Sequence, residues 1–141
     1  MFFQEAELFQ GIAAHIIDEV AGIAVEETRA GGTTLFEAGD FADSLFILVE
    51  GSVDITISGP RQISFPVTEP GSVFGWSSLV EPNLYTASAR CLKESKVIRL
   101  DGARLMRIFE NHPAGGLTVM KRLAGIIARR LANAYREALG A

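Results

Sequence analysis

Apolar residues fall three and four positions apart from Leu8 through Ile12, Ile16 and Val20 to Ile23. This spacing predicts helix over residues 6–28. From Gly31 the texture changes to alternation broken by glycine. Leu45, Ile47 and Val49 would share one strand face, and after a turn at Glu50-Gly51 the residues Val53, Ile55 and Ile57 alternate with Asp54, Thr56 and Ser58. Further strands are expected at 33–37, 63–68, 86–91 and 95–100, with turns at Ala38-Gly39-Asp40, Ser58-Gly59-Pro60 and Pro70-Gly71. Many short strands with regular turns point to a closed sandwich or barrel.

The helical period returns after Leu100. Asp101 is placed to cap a short helix that uses Leu105, Ile108 and Phe109 and stops at His112-Pro113. A longer helix of about 39 Å follows over 114–139, at 1.5 Å per residue. It carries two apolar stripes. Leu117, Met120, Ala124, Ile127, Leu131, Ala134 and Ala138 keep strict 3-4-3-4 spacing, while Val119, Leu123 and Ile126 form a shorter row beside them. Two stripes imply two partners, the strand body and a second helix. A parallel homodimer through the longer stripe is therefore expected.

Composition narrows the class without changing this layout. The 141 residues are enough for one domain with a sizeable core, and 48% apolar with 21% charged residues is ordinary for a globular protein. No basic leader opens the chain, no apolar run reaches the roughly 20 residues of a membrane span, and a lone Cys91 leaves no internal disulfide. A cytoplasmic protein with no membrane partner is expected. Charge is uneven: 14 of the 17 acidic groups precede Arg99, whereas 8 of the 13 basic groups lie from Arg99 onward. On the last helix Lys121, Arg122, Arg129, Arg130 and Arg136 read as a solvated face, with no base-reading or aromatic company for nucleic acid.

Candidate chemistry centres on "VFGWSSLVEPNLYTAS", Val73 to Ser88. Gly75 followed by Ser77, Ser78 and the apolar Leu79-Val80 reads as a turn entering a short helix, whose free N–H groups would cradle an anion. Yet the stretch holds no lysine or arginine, and its only charge is Glu81. Metal chemistry is not expected, because the two histidines, His15 and His112, are far apart in the chain. Cys91 reads as a small buried apolar residue. Asp40 and Asp43 are accounted for by turn formation, and no nucleophile elbow or lysine-bearing phosphate loop can be assembled. Neither a catalytic role nor a cofactor is expected.

The motifs "LFQGI", "GTTLFEAGDFADSLFILVEGSVDI", "EPGSVFGWSSLVEP", "YTASARCLKESKVIRLD" and "NHP" together resemble the cyclic-nucleotide-binding domain. That domain is the sensor module of catabolite-activator-type transcription regulators, kinase regulatory subunits and cyclic-nucleotide-gated channels. The resemblance covers roughly Leu8 to Leu139. It implies an α+β, mainly β fold: a jelly-roll-like β-roll, or double-stranded β-helix, flanked by helices and followed by a long dimer-forming helix. The expected organisation is one domain over 1–141, with N-terminal helices at 1–30, the β-roll at 31–100, a short helix at 101–112 and the long helix at 114–140.

The resemblance also implies where a ligand would sit: against Phe74, Gly75, Trp76, Ser77, Ser78, Tyr85, Thr86 and Ala87. Binding-competent relatives read approximately Phe-Gly-Glu-x-Ala-Leu, then Pro-Arg-Thr-Ala-Thr or Ser, with glutamate on the ribose and arginine on the cyclic phosphate. Here Phe74-Gly75 and Thr86-Ala87-Ser88 keep the frame, but Trp76 stands at the glutamate place and Tyr85 at the arginine place. Losing the partner of a buried charge costs about 2–5 kcal/mol, and the ribose contact about 1 kcal/mol more. At about 1.4 kcal/mol per tenfold, a micromolar site weakens toward millimolar. Trp76 and Tyr85 would either stack on a planar ligand or plug an empty pocket, and Arg90 is a candidate substitute charge of unknown direction. The expectation is a non-enzymatic ligand sensor with an altered pocket for a nucleotide-like molecule. Its alternatives are a ligand-free dimerisation module and the effector part of a regulator whose DNA-binding domain is not in this chain.

Overall fold

A computed structural model describes residues 3–139. Residues 1, 2, 140 and 141, where the expected domain begins and ends and the expected long helix stops, lie outside the described residues. Helix α1 (Ala14–Ile23) runs directly into strand β1 (Ala24–Arg29), and seven strands follow: β2 (Thr34–Phe36), β3 (Ser44–Glu50), β4 (Val53–Ile57), β5 (Ile63–Val67), β6 (Val73–Phe74), β7 (Ser88–Cys91) and β8 (Ser95–Asp101). Helices α2 (Gly102–Asn111) and α3 (Pro113–Ala138) complete the order. The strands form two antiparallel four-stranded sheets, β1-β8-β3-β6 and β2-β7-β4-β5, the β-roll that the motifs imply.

The run Leu45-Phe46-Ile47-Leu48 is apolar on both strand faces because β3 has a core on each side. Leu45 and Ile47 join Ile98 and Leu100 of β8 beneath the helices, where Ile16, Val20, Leu105, Phe109, Val119 and Leu123 cover them. Phe46 and Leu48 point into the roll, against Phe36, Val53, Ile55, Phe74 and Cys91. Asp101 caps α2 as expected, accepting from the Arg104 N–H at 2.9 Å, and Pro113 opens α3.

The helix expected over 6–28 is corrected at both ends. Before α1, Ala6, Leu8 and Phe9 are buried, but on an irregular segment that closes at Gly11 with φ of 75°. After α1, β1 pairs along all of β8, from Ala24 opposite Leu100 to Arg29 opposite Ser95. Tertiary pairing decides the conformation here, favoured by the β-branched Val25 and Thr28. Glu27 ties the edge down, accepting from Arg99 at 2.9 Å and Arg29 at 2.6 Å. Burial raises its carboxyl pKa, but the hydrogen bonds and positive charges of Arg99 and Arg29 together outweigh burial and the net shift is downward.

The basic face of the last helix also needs correction. Arg122 donates to the carbonyls of Leu8 and Gln10, fastening α3 to the N-terminal segment. Arg130 turns inward as well, with a side chain only 18% exposed. Among the described residues, no helix is long and apolar enough to cross a membrane.

Candidate ligand cradle

Gly75 starts the cradle in the left-handed region, at φ of 76°, where a side chain would be both strained and crowded. An added Cβ would lie 3.2 Å from the Ser44 carbonyl oxygen and 3.3 Å or less from the rings of Phe46 and Phe36. The expected short helix is a single 3-10 turn, Trp76–Leu79. Asn83, itself at φ of 63°, clamps that turn from below: its amide Nδ2 donates to the carbonyls of Ser77 at 3.1 Å and Ser78 at 3.3 Å. Its backbone carbonyl accepts from Ala42 at 2.8 Å, which ties the turn to the loop before β3.

Seven of the eight expected site residues line one small cavity: Phe74, Gly75, Trp76, Ser77, Tyr85, Thr86 and Ala87. Ser78 does not. Its hydroxyl donates back to the Gly75 carbonyl at 3.0 Å, and its backbone packs against Gly102 at the start of α2. The cavity holds only about 30 Å³, space for little more than a water molecule. Phe36, Ile55 and Arg130 also line it and were not read as site residues in the sequence.

Tyr85 fills the roll interior. It is 5% exposed, and its ring stacks on Phe36 with centroids 3.8 Å apart and planes at 13°. Its hydroxyl donates to the Ser44 carbonyl at 2.7 Å and accepts from the Ser44 N–H at 3.2 Å. Burial pushes the phenol up to about 12; the Ser44 hydrogen bond opposes that, and Asp43 and Asp40 add to it. At pH 7 the group is a neutral hydrogen-bonding post.

Arg130 supplies the charge that the cradle's own stretch lacks. Its guanidinium carbon lies 5.1 Å from the centre of the Trp76 ring, within cation–π range. One nitrogen donates to the Val73 carbonyl, and the other approaches Glu7 Oε2 at 3.4 Å. That same carboxylate oxygen accepts from the Val73 N–H at 2.7 Å, so Glu7 is shared. Burial lowers the Arg130 pKa, and Glu7 offsets this only in part. Arg90, the candidate substitute charge, stands exposed on β7 opposite Thr34 and Asp54, outside the residues that line the cavity. No sequence period could mark Arg130, because its partners are met only through the packing of α3 on the roll.

The signature of the family described as "Cyclic nucleotide-binding domain" matches residues 26–112. The chain belongs to the cyclic nucleotide-binding domain family. It is 26% identical over 132 residues to the Cyclic AMP receptor protein of Thermus thermophilus, covering 92% of this chain and 59% of that protein. It is 30% identical over 139 residues to Glutaminase 1 of Bradyrhizobium diazoefficiens, covering 96% of this chain and 22% of the enzyme. Among solved structures, a provisionally assigned cyclic nucleotide-binding protein of Geobacter metallireducens GS-15 superposes with a TM-score of 0.78 at 34% identity, over 88% of this chain and 91% of that one. The chain thus spans between about a fifth and three fifths of the curated relatives named here. Domains of this family are generally regulatory rather than catalytic.

Other expected chemistry can be placed too. Cys91 is fully buried, and burial pushes its thiol pKa up. His15 and His112, distant in the chain, meet edge to face at 5.2 Å, and His112 Nε2 contacts Glu19 Oε2. Among the described residues, no group of three histidines, cysteines or carboxylates is arranged to hold a metal ion.

Proposed function

We propose that the chain is the non-catalytic ligand-sensing unit of a regulatory protein, with a pocket altered so that cyclic AMP is not held in the usual family manner. The observation that carries this reading is Tyr85. At the arginine place of the family motif it is committed to Ser44 and Phe36 inside the roll, where a phenol at neutral charge offers a cyclic phosphate no counter-ion. Trp76, at the glutamate place, adds an indole where a carboxylate would accept from a ribose hydroxyl, and the space left is about 30 Å³.

The output of such a unit lies with whatever it is joined to. Its similarity to a part of Glutaminase 1 and to a part of the Cyclic AMP receptor protein supports a module joined to more than one kind of effector. A second reading, a dimerisation module that binds nothing, is favoured by the near-full cavity.

Calorimetry with cyclic AMP and with cyclic GMP tests the proposal. We expect neither to bind tighter than about 100 μM, near −5.5 kcal/mol. A low-micromolar isotherm for either nucleotide would overturn it.

A further inference from the structure

A positive charge absent from the cradle's own stretch reaches the cavity from a distance and is already engaged there. Arg130 reaches the cavity from α3 rather than from the strand loop that carries Tyr85. Its guanidinium has five N–H donors. One serves the Val73 carbonyl and one makes a long 3.4 Å approach to a carboxylate oxygen already engaged by the Val73 N–H. Only two of the five donors are engaged in these contacts, and the Trp76 ring, which lines the same cavity, lies 5.1 Å from the guanidinium centre. The single turn Trp76–Leu79 is too short to contribute a helix dipole of consequence, so this arginine is the cavity's positive charge.

We infer that Arg130 is the anion-recognising residue of the pocket and that Trp76 is its internal stopper, so that a small organic anion enters by displacing the indole and meeting the guanidinium. This rests on the sensor reading above and names the charge that would select the ligand. The ligand class is a small anion with a flat or apolar body. The cavity walls Phe36, Ile55 and Phe74 suit that body, and Arg130 suits the anionic end. Because Arg130 belongs to α3, an anion that pulled it off the indole would act directly on the long helix. Recognition and response would then share one side chain.

Cyclic AMP serves as the anionic probe, with adenosine as its uncharged counterpart, each titrated by calorimetry into the full chain. Trp76→Ala should bind cyclic AMP at least tenfold tighter than the unsubstituted chain, and adding Arg130→Gln should remove that gain. Adenosine should respond to Trp76→Ala but not to Arg130→Gln. A gain that survives in the double variant, or no gain in a Trp76→Ala chain with an unchanged circular dichroism spectrum, overturns the inference.

A second readout leaves the indole in place and does not depend on how the alanine variant folds. Trp76 is the only tryptophan, so its emission reports on this pocket alone. Inorganic phosphate at tens of millimolar should shift that emission beyond a sodium chloride control of equal ionic strength, and Arg130→Gln should abolish the difference. An emission that does not respond to phosphate, or responds equally without Arg130, overturns it. Tight cyclic AMP binding by the unsubstituted chain would instead sink the altered-pocket reading, while the arginine dependence would still be read separately.

Discussion

Tyr85 shows how one residue trades a ligand contact for a structural one. Tyr85→Phe keeps the stack on Phe36 but leaves the Ser44 N–H and carbonyl without the hydroxyl that both use. Unmet buried polar groups cost about 1–3 kcal/mol, and urea unfolding at pH 7 should register a loss in that range. The same hydroxyl sets an alkaline limit. The folded pKa of about 12 lies above the ordinary tyrosine value of 10.0, so the folded state binds more protons in that window. Its contribution is complete below pH 10 and is lost as pH rises through 12. The stability of the unsubstituted chain should therefore fall more steeply from pH 10 to 12 than that of Tyr85→Phe; parallel slopes would show that the phenol does not titrate as described. At this scale the sequence exposed Trp76 and Tyr85 because each breaks a local motif. It hid Arg130, because an arginine on a helix looks like every other arginine there until the helix is docked.

Elements were legible where one physical demand dominated their pattern. The strands around Gly51, the Asp101 cap and the break at His112-Pro113 follow from alternation, capping and proline, all local effects. Strand β1 failed that test, since Ile23 continues a helical period while Ala24–Arg29 answers to the open edge of β8. Two-residue β6 was missed for a different reason: Val73–Phe74 is too short for any period, and its pairing with Phe46 and Ile47 is wholly non-local. The joint between α2 and the cradle turn offers a test at this scale. A Cβ on Gly102 would sit 2.6 Å from the Ser78 carbonyl oxygen, a backbone atom held in turn by Asn83. Gly102→Ala should destabilise the chain by about 1–3 kcal/mol, as overpacking does. Gly22→Ala in α1 meets nothing within 4 Å and should instead stabilise by about 0.4–1 kcal/mol. Equal urea midpoints for the two variants would mean that the joint yields freely.

The whole molecule presents α3 as a helix with one face used and one left over. Val119, Leu123 and Ile126 are buried in the chain's own core, as the shorter stripe was expected to be. The longer stripe divides. Met120 and Ile127 lean on that core from its margin, whereas Leu117 stays 58% exposed and Leu131 48% exposed, with Ala124 and Ala138 also open to solvent. Large apolar side chains spaced regularly along a helix are costly to leave in water, since burying a leucine fully contributes about 1.5–3 kcal/mol. The small residues between them would let a second helix approach closely, and a two-fold axis along the stripe would bury both copies at once. Arg130 constrains the arrangement, because its inward reach to Trp76 and Glu7 keeps that flank of α3 against its own roll rather than at the seam. We expect a parallel homodimer in which Leu117→Asp with Leu131→Asp gives a folded monomer, because both changes put charge where the second helix would lie and neither residue is buried in the chain's own core. Light scattering at tens of micromolar checks it: a mass near 15.2 kDa for the unsubstituted chain, rather than twice that, would leave Leu117 and Leu131 as isolated surface residues and remove the dimer.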